Sequence, residues 1–205
     1  MNGLLGACIL GLFLPCQCVQ AQGHQSSVIE YYSNGMKYQT LTRSGVTVIF
    51  THLAERIHEY SIIQAAVSNG STSPYVIRPE DFTFLHTDGT VVKAVPARTV
   101  IDMLMQKGTS SDVVKLVTTY EASVYGNAHF KSTNGYEQRR QSALAMYGTK
   151  LKAATAASAI ALVQTKLNAG DTTDGAVFFA SEGKPLVGGR LVVRTSTDIF
   201  EFNPE

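Results

Sequence analysis

Residues 36–42, 46–53 and 59–68 alternate apolar and polar side chains with a period of two, and the second run is rich in β-branched residues. Each predicts a half-buried β-strand. Asn69-Gly70-Ser71 marks a turn, residues 75–77 form a short extended piece, and Arg78-Pro79-Glu80-Asp81 is a connection. Phe82-Thr83-Phe84 alternates again before Asp88-Gly89 leads into residues 91–95. An Asp-Gly pair between two alternating runs is a strong hairpin signal.

Pro96 closes that series, and the period lengthens to that of a helix. Residues 100–106 predict a short helix ended by Gly108. Ser111 and Asp112 can cap a second, in which Val113, Leu116, Val117, Tyr120 and Val124 share a face until Gly126. A polar loop over 127–135 leads to residues 136–167, where Ala, Leu, Met, Gln, Lys and Arg dominate without a proline. That stretch predicts one long helix, with Leu144, Tyr147, Leu151, Ala154, Ser158, Ala161 and Thr165 as a continuous stripe. Residues 153–165 carry no charge and predict a buried half; Glu137, Arg139, Arg140, Lys150 and Lys152 predict a partly solvated one. Gly148 lies inside the pattern at a cost of about 1 kcal/mol relative to alanine, which marks the place for a break or kink. Strands return at 175–180, 191–194 and 199–202, with turns at Gly188-Gly189 and residues 195–198.

The first 21 residues read as a secretory signal. Residues 4–14 form an apolar run, Pro15 ends it, and Val19-Gln20-Ala21 suits a signal peptidase, placing the mature start at Gln22. No Lys or Arg precedes the run, which departs from the usual pattern. Leu5-Gly6-Ala7-Cys8 offers lipidation as an alternative, although its apolar run follows the cysteine. Localisation is therefore expected to be periplasmic, cell-envelope or secreted. Residues 22–35 are polar and read as a flexible arm. The apolar stretch of the long helix is shorter than the roughly 20 residues of a membrane span, so none is expected in the mature chain.

Cys8, Cys16 and Cys18 all fall in the presequence. The mature chain is thus expected to lack disulfides, cysteine nucleophiles and thiolate metal sites. The presequence holds no charged residue, so the mature chain keeps the formal net charge of +1, and nothing in it points to nucleic acid. Removing residues 97–168 leaves about 112 residues of mature chain, near the roughly 100 of a seven- or eight-stranded sandwich. The expected fold is α+β: one domain over 36–205, a β-sandwich with a helical insertion at about 97–168 packed on one end or face.

Ile77-Arg78-Pro79-Glu80-Asp81-Phe82, the run NGYEQRRQ at 134–141, the run ending TTDGAVFF at 179, and the strand at 199–202 together resemble secreted bacterial proteins of no assigned function. The resemblance implies an immunoglobulin-like antiparallel sandwich, closed by a strand after a Gly-Asp turn, with a helical segment inserted before it. It brings no catalytic residues and supports an argument about fold only.

Four groupings carry possible chemistry. His52, Glu55, His58 and Glu59 offer metal-ligating groups within eight residues, the basis of an envelope metal-dependent hydrolase as a competing reading. They span a strand end, a bend and the next strand, and no HExxH is present. Asp171-Thr172-Thr173-Asp174-Gly175 places Glu182 at the twelfth position of a calcium loop, but Ala176 stands where the loop needs glycine, which favours a turn before a strand. Ser181-Glu182-Gly183-Lys184 has serine–lysine spacing, with Pro185 next and no SDN or KTG elsewhere. No GxSxG or Walker loop occurs, and no catalytic residue, cofactor or metal is assigned. His24, His86 and His129 are isolated.

The fourth grouping is the exposed half of the long helix. On a helical wheel Tyr136, Arg139, Arg140, Ala143, Tyr147 and Lys150 fall within about 100°, joining aromatic and cationic side chains of the kinds central to interfaces. Residues 136–167 hold five basic residues and one acidic. Tyr136, Arg139, Arg140, Tyr147 and Lys150 are therefore the candidate partner-binding residues, for a protein or an anionic envelope component. The expected function is that of an exported, non-enzymatic interaction or structural module.

Overall fold

The structure, a computed structural model, describes residues 27–126 and 134–204; residues 1–21, expected to be a signal sequence, and residues 22–26 of the expected arm lie outside them. Two-residue hairpins open the fold. β1 (Ile29–Ser33) and β2 (Met36–Arg43) are joined by Asn34-Gly35, and β2 and β3 (Val46–His52) by Ser44-Gly45, with positive φ at all four turn residues. Such turns match the twist of the strands they join. The arm expected over 22–35 thus includes a strand. β1 pairs along its whole length with β2, from Ile29 opposite Thr40 to Ser33 opposite Met36.

β4 (Tyr60–Asn69) follows β3 in register, and β5 (Tyr75–Ile77) leads through a 3-10 turn at Pro79–Asp81 to the hairpin of β6 (Phe82–His86) and β7 (Val91–Val95). Asp81 caps that turn, its Oδ2 accepting the Arg78 N–H at 2.8 Å. Four helices then interrupt the strands: α1 (Ala97–Lys107), α2 (Ser110–Tyr125), α3 (Tyr136–Leu144) and α4 (Thr149–Ile160). The chain closes with β8 (Thr165–Leu167), β9 (Thr172–Ala180), β10 (Gly189–Arg194) and β11 (Ile199–Glu201).

The α+β class holds. The strand arrangement is larger than the seven or eight expected. Nine strands form one antiparallel sheet in the order β1-β2-β3-β4-β9-β7-β6-β10-β11, curled into a half-barrel, while β5 and β8 pair separately. Its narrowest junction is β7 to β9, where only Ala94–Phe179 and Val95–Phe178 pair. The curl brings the ends together. The Gln39 side chain and the Asn203 backbone exchange hydrogen bonds at 3.3 and 2.9 Å, Ser44 Oγ donates to Asp198 at 2.7 Å, and Phe50 packs edge-on to Phe202 with ring centroids 4.8 Å apart.

Period two sorts β4 and β9 into two cores. Ile63, Ala65, Val67, Val177 and Phe179 face into the curl with Phe50, Phe82, Phe84 and Phe200. Tyr60, Ile62, Ala176 and Phe178 face out against the helices.

The helix expected over 136–167 is broken. Gly148, at φ +83°, separates α3 from α4, a conformation that glycine adopts without the Cβ clash of other residues. The proposed stripe breaks with it: Tyr147 and Leu151 are exposed, whereas Ala154 and Ala161 are buried. α4 is buried along Ala153, Ala154, Ala156, Ala157, Ala159 and Ile160, and its small side chains admit a close neighbour, since a Cβ on Gly108 would stand 2.9 Å from that of Ala153. Past Ile160 the sheet captures the chain. Leu162 N–H donates to Ala176 O at 2.9 Å and Thr165–Leu167 pairs with Tyr75–Ile77, so these last residues are strand where alanine-rich composition suggested helix. α2 starts one residue before the expected cap: Thr109 accepts the Asp112 N–H, and the Asp112 carboxylate accepts the Thr109 N–H.

Candidate functional site

Asp174 lies on the outward face of β9, and only 2 % of its surface is exposed. A buried carboxylate needs donors to offset lost hydration. Tyr120 of α2 donates its hydroxyl to Asp174 Oδ2, and Asn134 Nδ2 donates to Oδ1 at 2.5 Å and to the Asp174 carbonyl at 2.7 Å. Burial, with the Asp174 charge added, holds the Tyr120 hydroxyl well above the ordinary tyrosine range. Asn134 also accepts the Tyr136 N–H at 3.0 Å, which fixes the entry to α3.

A second network ties α3 to α2. Glu121 Oε1 accepts from the Tyr136 hydroxyl at 3.1 Å and pairs with the Arg140 guanidinium. Burial and the nearby Glu121 raise the Tyr136 hydroxyl. Arg139 donates from Nε to Ala159 O at 3.1 Å and from Nη1 to Asn134 O, closing the carboxyl end of α4 with a positive charge.

The five candidate partner-binding residues therefore separate. Tyr136 is 4 % exposed, its ring 5.0 Å from that of Tyr120, and Arg139 and Arg140 are half-buried in internal bonds. Tyr147 is 94 % exposed at the corner between α3 and α4, with exposed Lys150 and Leu151 beside it in sequence. The helical wheel grouped all five because it assumed an unbroken helix. Two clefts flank this region. One of about 350 Å³ runs between α3 and α4, lined by Gln138, Arg139, Ser142, Met146, Thr155 and Ser158, among others. The second, about 480 Å³, shares Arg139 and Ser158 and reaches Lys166, Asp171 and Asp174.

The structure does not gather the proposed metal ligands. His52 lies on β3 with its ring edge-on to Phe50 and Phe84, Glu55 pairs with Lys115 at 3.3 Å, and His58 Nε2 meets Asp112 Oδ2 at 3.2 Å. The Glu59 carbonyl accepts the N–H groups of Ser181 and Gly183. Among the described residues, no three His, Cys, Asp or Glu side chains are placed to share a metal. The bend between the strands sends the side chains of His52, Glu55 and His58 toward different neighbours.

Ser181 and Ser61 bond each other at 2.7 Å, Ser61 donates to Lys184 O at 2.8 Å, and Lys184 is exposed with its Nζ 3.9 Å from Glu182. Asp171 accepts the Asn168 N–H at 2.8 Å in the turn before β9. Both segments act as turns. His86 Nδ1 lies 3.1 Å from Val187 O, while His24 and His129 fall outside the described residues. Sequence reasoning weighed Asp174 only within a calcium loop and placed it in a turn, whereas it lies inside β9. Its signal was an acidic residue within an otherwise apolar strand, which has to find donors from another element.

The fold and site define a mixed α+β protein in which four helices cover one face of a curled antiparallel sheet around a buried carboxylate–tyrosine network. No protein-family model matches the sequence, and no curated protein matches it. Among solved structures, the crystal structure of the yjhA protein from Bacillus subtilis is similar at a TM-score of 0.36 and 9% identity, over 86% of this chain and 96% of that one. A likeness at that level transfers neither fold nor function.

Proposed function

We propose that the chain is an exported, non-enzymatic module that uses its helical insertion to contact a protein or an anionic component of the cell envelope. The observation that carries this reading is the corner between α3 and α4, where Tyr147 stands 94 % exposed and Lys150 and Leu151, three and four residues further on, are exposed as well. Aromatic and cationic side chains of this kind centre many interfaces. Arg139 and Arg140 bond to Ala159 O and to Glu121 at the opposite end of the α3–α4 pair, so the corner takes no part in those internal bonds. Export rests on the apolar run at 4–14 and on Val19-Gln20-Ala21. Support for an immunoglobulin-like relation comes from the two-pair junction of β7 and β9 and from the core that β2, β3, β6 and β10 share.

The test is mild crosslinking in the native cells, followed by purification of the C-terminally tagged chain, for the wild type and the Tyr147→Ala/Lys150→Glu variant. The expected result is an amino terminus at Gln22 and one stoichiometric partner that the variant loses while keeping its circular dichroism. Equal recovery by both proteins removes the corner from the interface.

A further inference from the structure

We infer that the groove between α3 and α4 receives an extended acidic segment of a partner protein, an inference that rests on the contact role proposed above. From residue 138 to residue 170 the chain carries Arg139, Arg140, Lys150, Lys152 and Lys166 and not one acidic residue. Glu121, on α2, pairs with Arg140. Among the described residues, no ion pair involves Arg139, Lys150 or Lys152. Glu137 just before this stretch accepts from Tyr125, and Asp171 and Asp174 line the neighbouring cleft; the lining of the groove itself includes Arg139 and no carboxylate, so its field favours an anion.

The groove gives that field a shape. Ala143, Met146 and Ala159 supply apolar lining, and Ser142, Thr155, Ser158 and Gln138 supply polar groups along its length. Arg139 marks one end, because its guanidinium is fixed to Ala159 O and its Nη2 carries no bond to a described residue. Lys152 precedes Thr155 by three residues on α4, which sets it just beyond the lining residues at the other end of the groove. Lys152 and Ala159 are seven residues apart, about 10 Å along a helix. Carboxylates on every third residue of a polyproline-type chain repeat on one face at about 9 Å, which matches that spacing.

The probe is a short fluorescein-labelled peptide with glutamate at every third position among prolines and alanines, read by anisotropy against the full mature chain at low and at physiological salt. Its glutamine counterpart is the control. The acidic peptide is expected to bind more weakly as salt rises, the glutamine peptide about tenfold more weakly than the acidic one. Lys152→Glu should lose a similar factor and Lys152→Gln an intermediate one, while Lys184→Glu, on the β9–β10 loop, leaves binding unchanged. Equal affinity for the two peptides overturns the inference, as does equal behaviour of Lys152→Glu and Lys184→Glu. Binding to phosphatidylglycerol vesicles but not to the peptide overturns it too, in favour of a lipid surface. If the cellular partner is lost on Tyr147→Ala/Lys150→Glu while the acidic peptide fails to bind, this inference falls and the contact role stands.

Discussion

Strands β4 and β9 look inward to a core of aliphatic and aromatic side chains and outward to one in which a carboxylate and two phenols are enclosed among aliphatic side chains and the alanines of α4. The inward face includes Phe50, Phe84 and Phe179, each at most 1 % exposed, and its cohesion comes from area removed from water and from close packing. The outward face has smaller side chains to bury, and its helices are set in place by directed bonds: Tyr38 to Ser123 O at 2.7 Å, Tyr120 to Asp174, and Tyr136 and Arg140 to Glu121. The inward core sets the strands; the outward one sets where each helix sits. A mutation on one face should therefore fail in a different way from a mutation on the other.

The largest effect is expected inside the curl. Phe84→Ala should destabilise by about 4 kcal/mol in urea unfolding, through lost burial and the cavity left behind. Tyr120→Phe keeps the ring and removes one donor from a buried carboxylate, and about 2 kcal/mol is expected. If Tyr120→Phe proved neutral, the contrast between the faces would collapse, because Asp174 would not depend on that bond. The last effect is confined to high pH. Burial pushes the Tyr38 hydroxyl up to about 12 from its ordinary 10, so its contribution is whole below pH 10 and is lost as pH rises toward 12. Tyr38→Phe should flatten the fall in stability over that window without abolishing it, since Tyr120 and Tyr136 are raised in the same direction.

Much of this was legible in the chain. Alternation located β2, β3 and β4, Asp88-Gly89 located the β6–β7 hairpin, and the uncharged alanine run marked the buried helix. Asn34-Gly35 carried as strong a hairpin signal as Asp88-Gly89, but the polar residues before it hid β1. The strand order was not legible, because period two says which residues share a face and nothing about which strand lies alongside. At the candidate site, Tyr147 and Lys150 are exposed, although the expected helical stripe also included Tyr147, whereas Tyr136, Arg139 and Arg140 turned inward. Their partners, Glu121, Asn134 and the Ala159 carbonyl, belong to three separate stretches that no local pattern connects.

The β4–β9 ladder joins Tyr60 to Ala180 and Ser68 to Thr172, across the whole helical insertion. During synthesis β4 is therefore complete long before its partner strand exists. In that interval it presents an open edge whose residues from Tyr60 to Val67 are all destined for burial. Unpaired edges of this kind recruit other chains, and long-range pairings form slowly. Helices α1, α2 and α4 belong to short sequence-local units that can form early and cover the outer side of β4. The insertion thus covers one face of the nascent strand, while its hydrogen-bonding edge stays open until β9 arrives to pair with it.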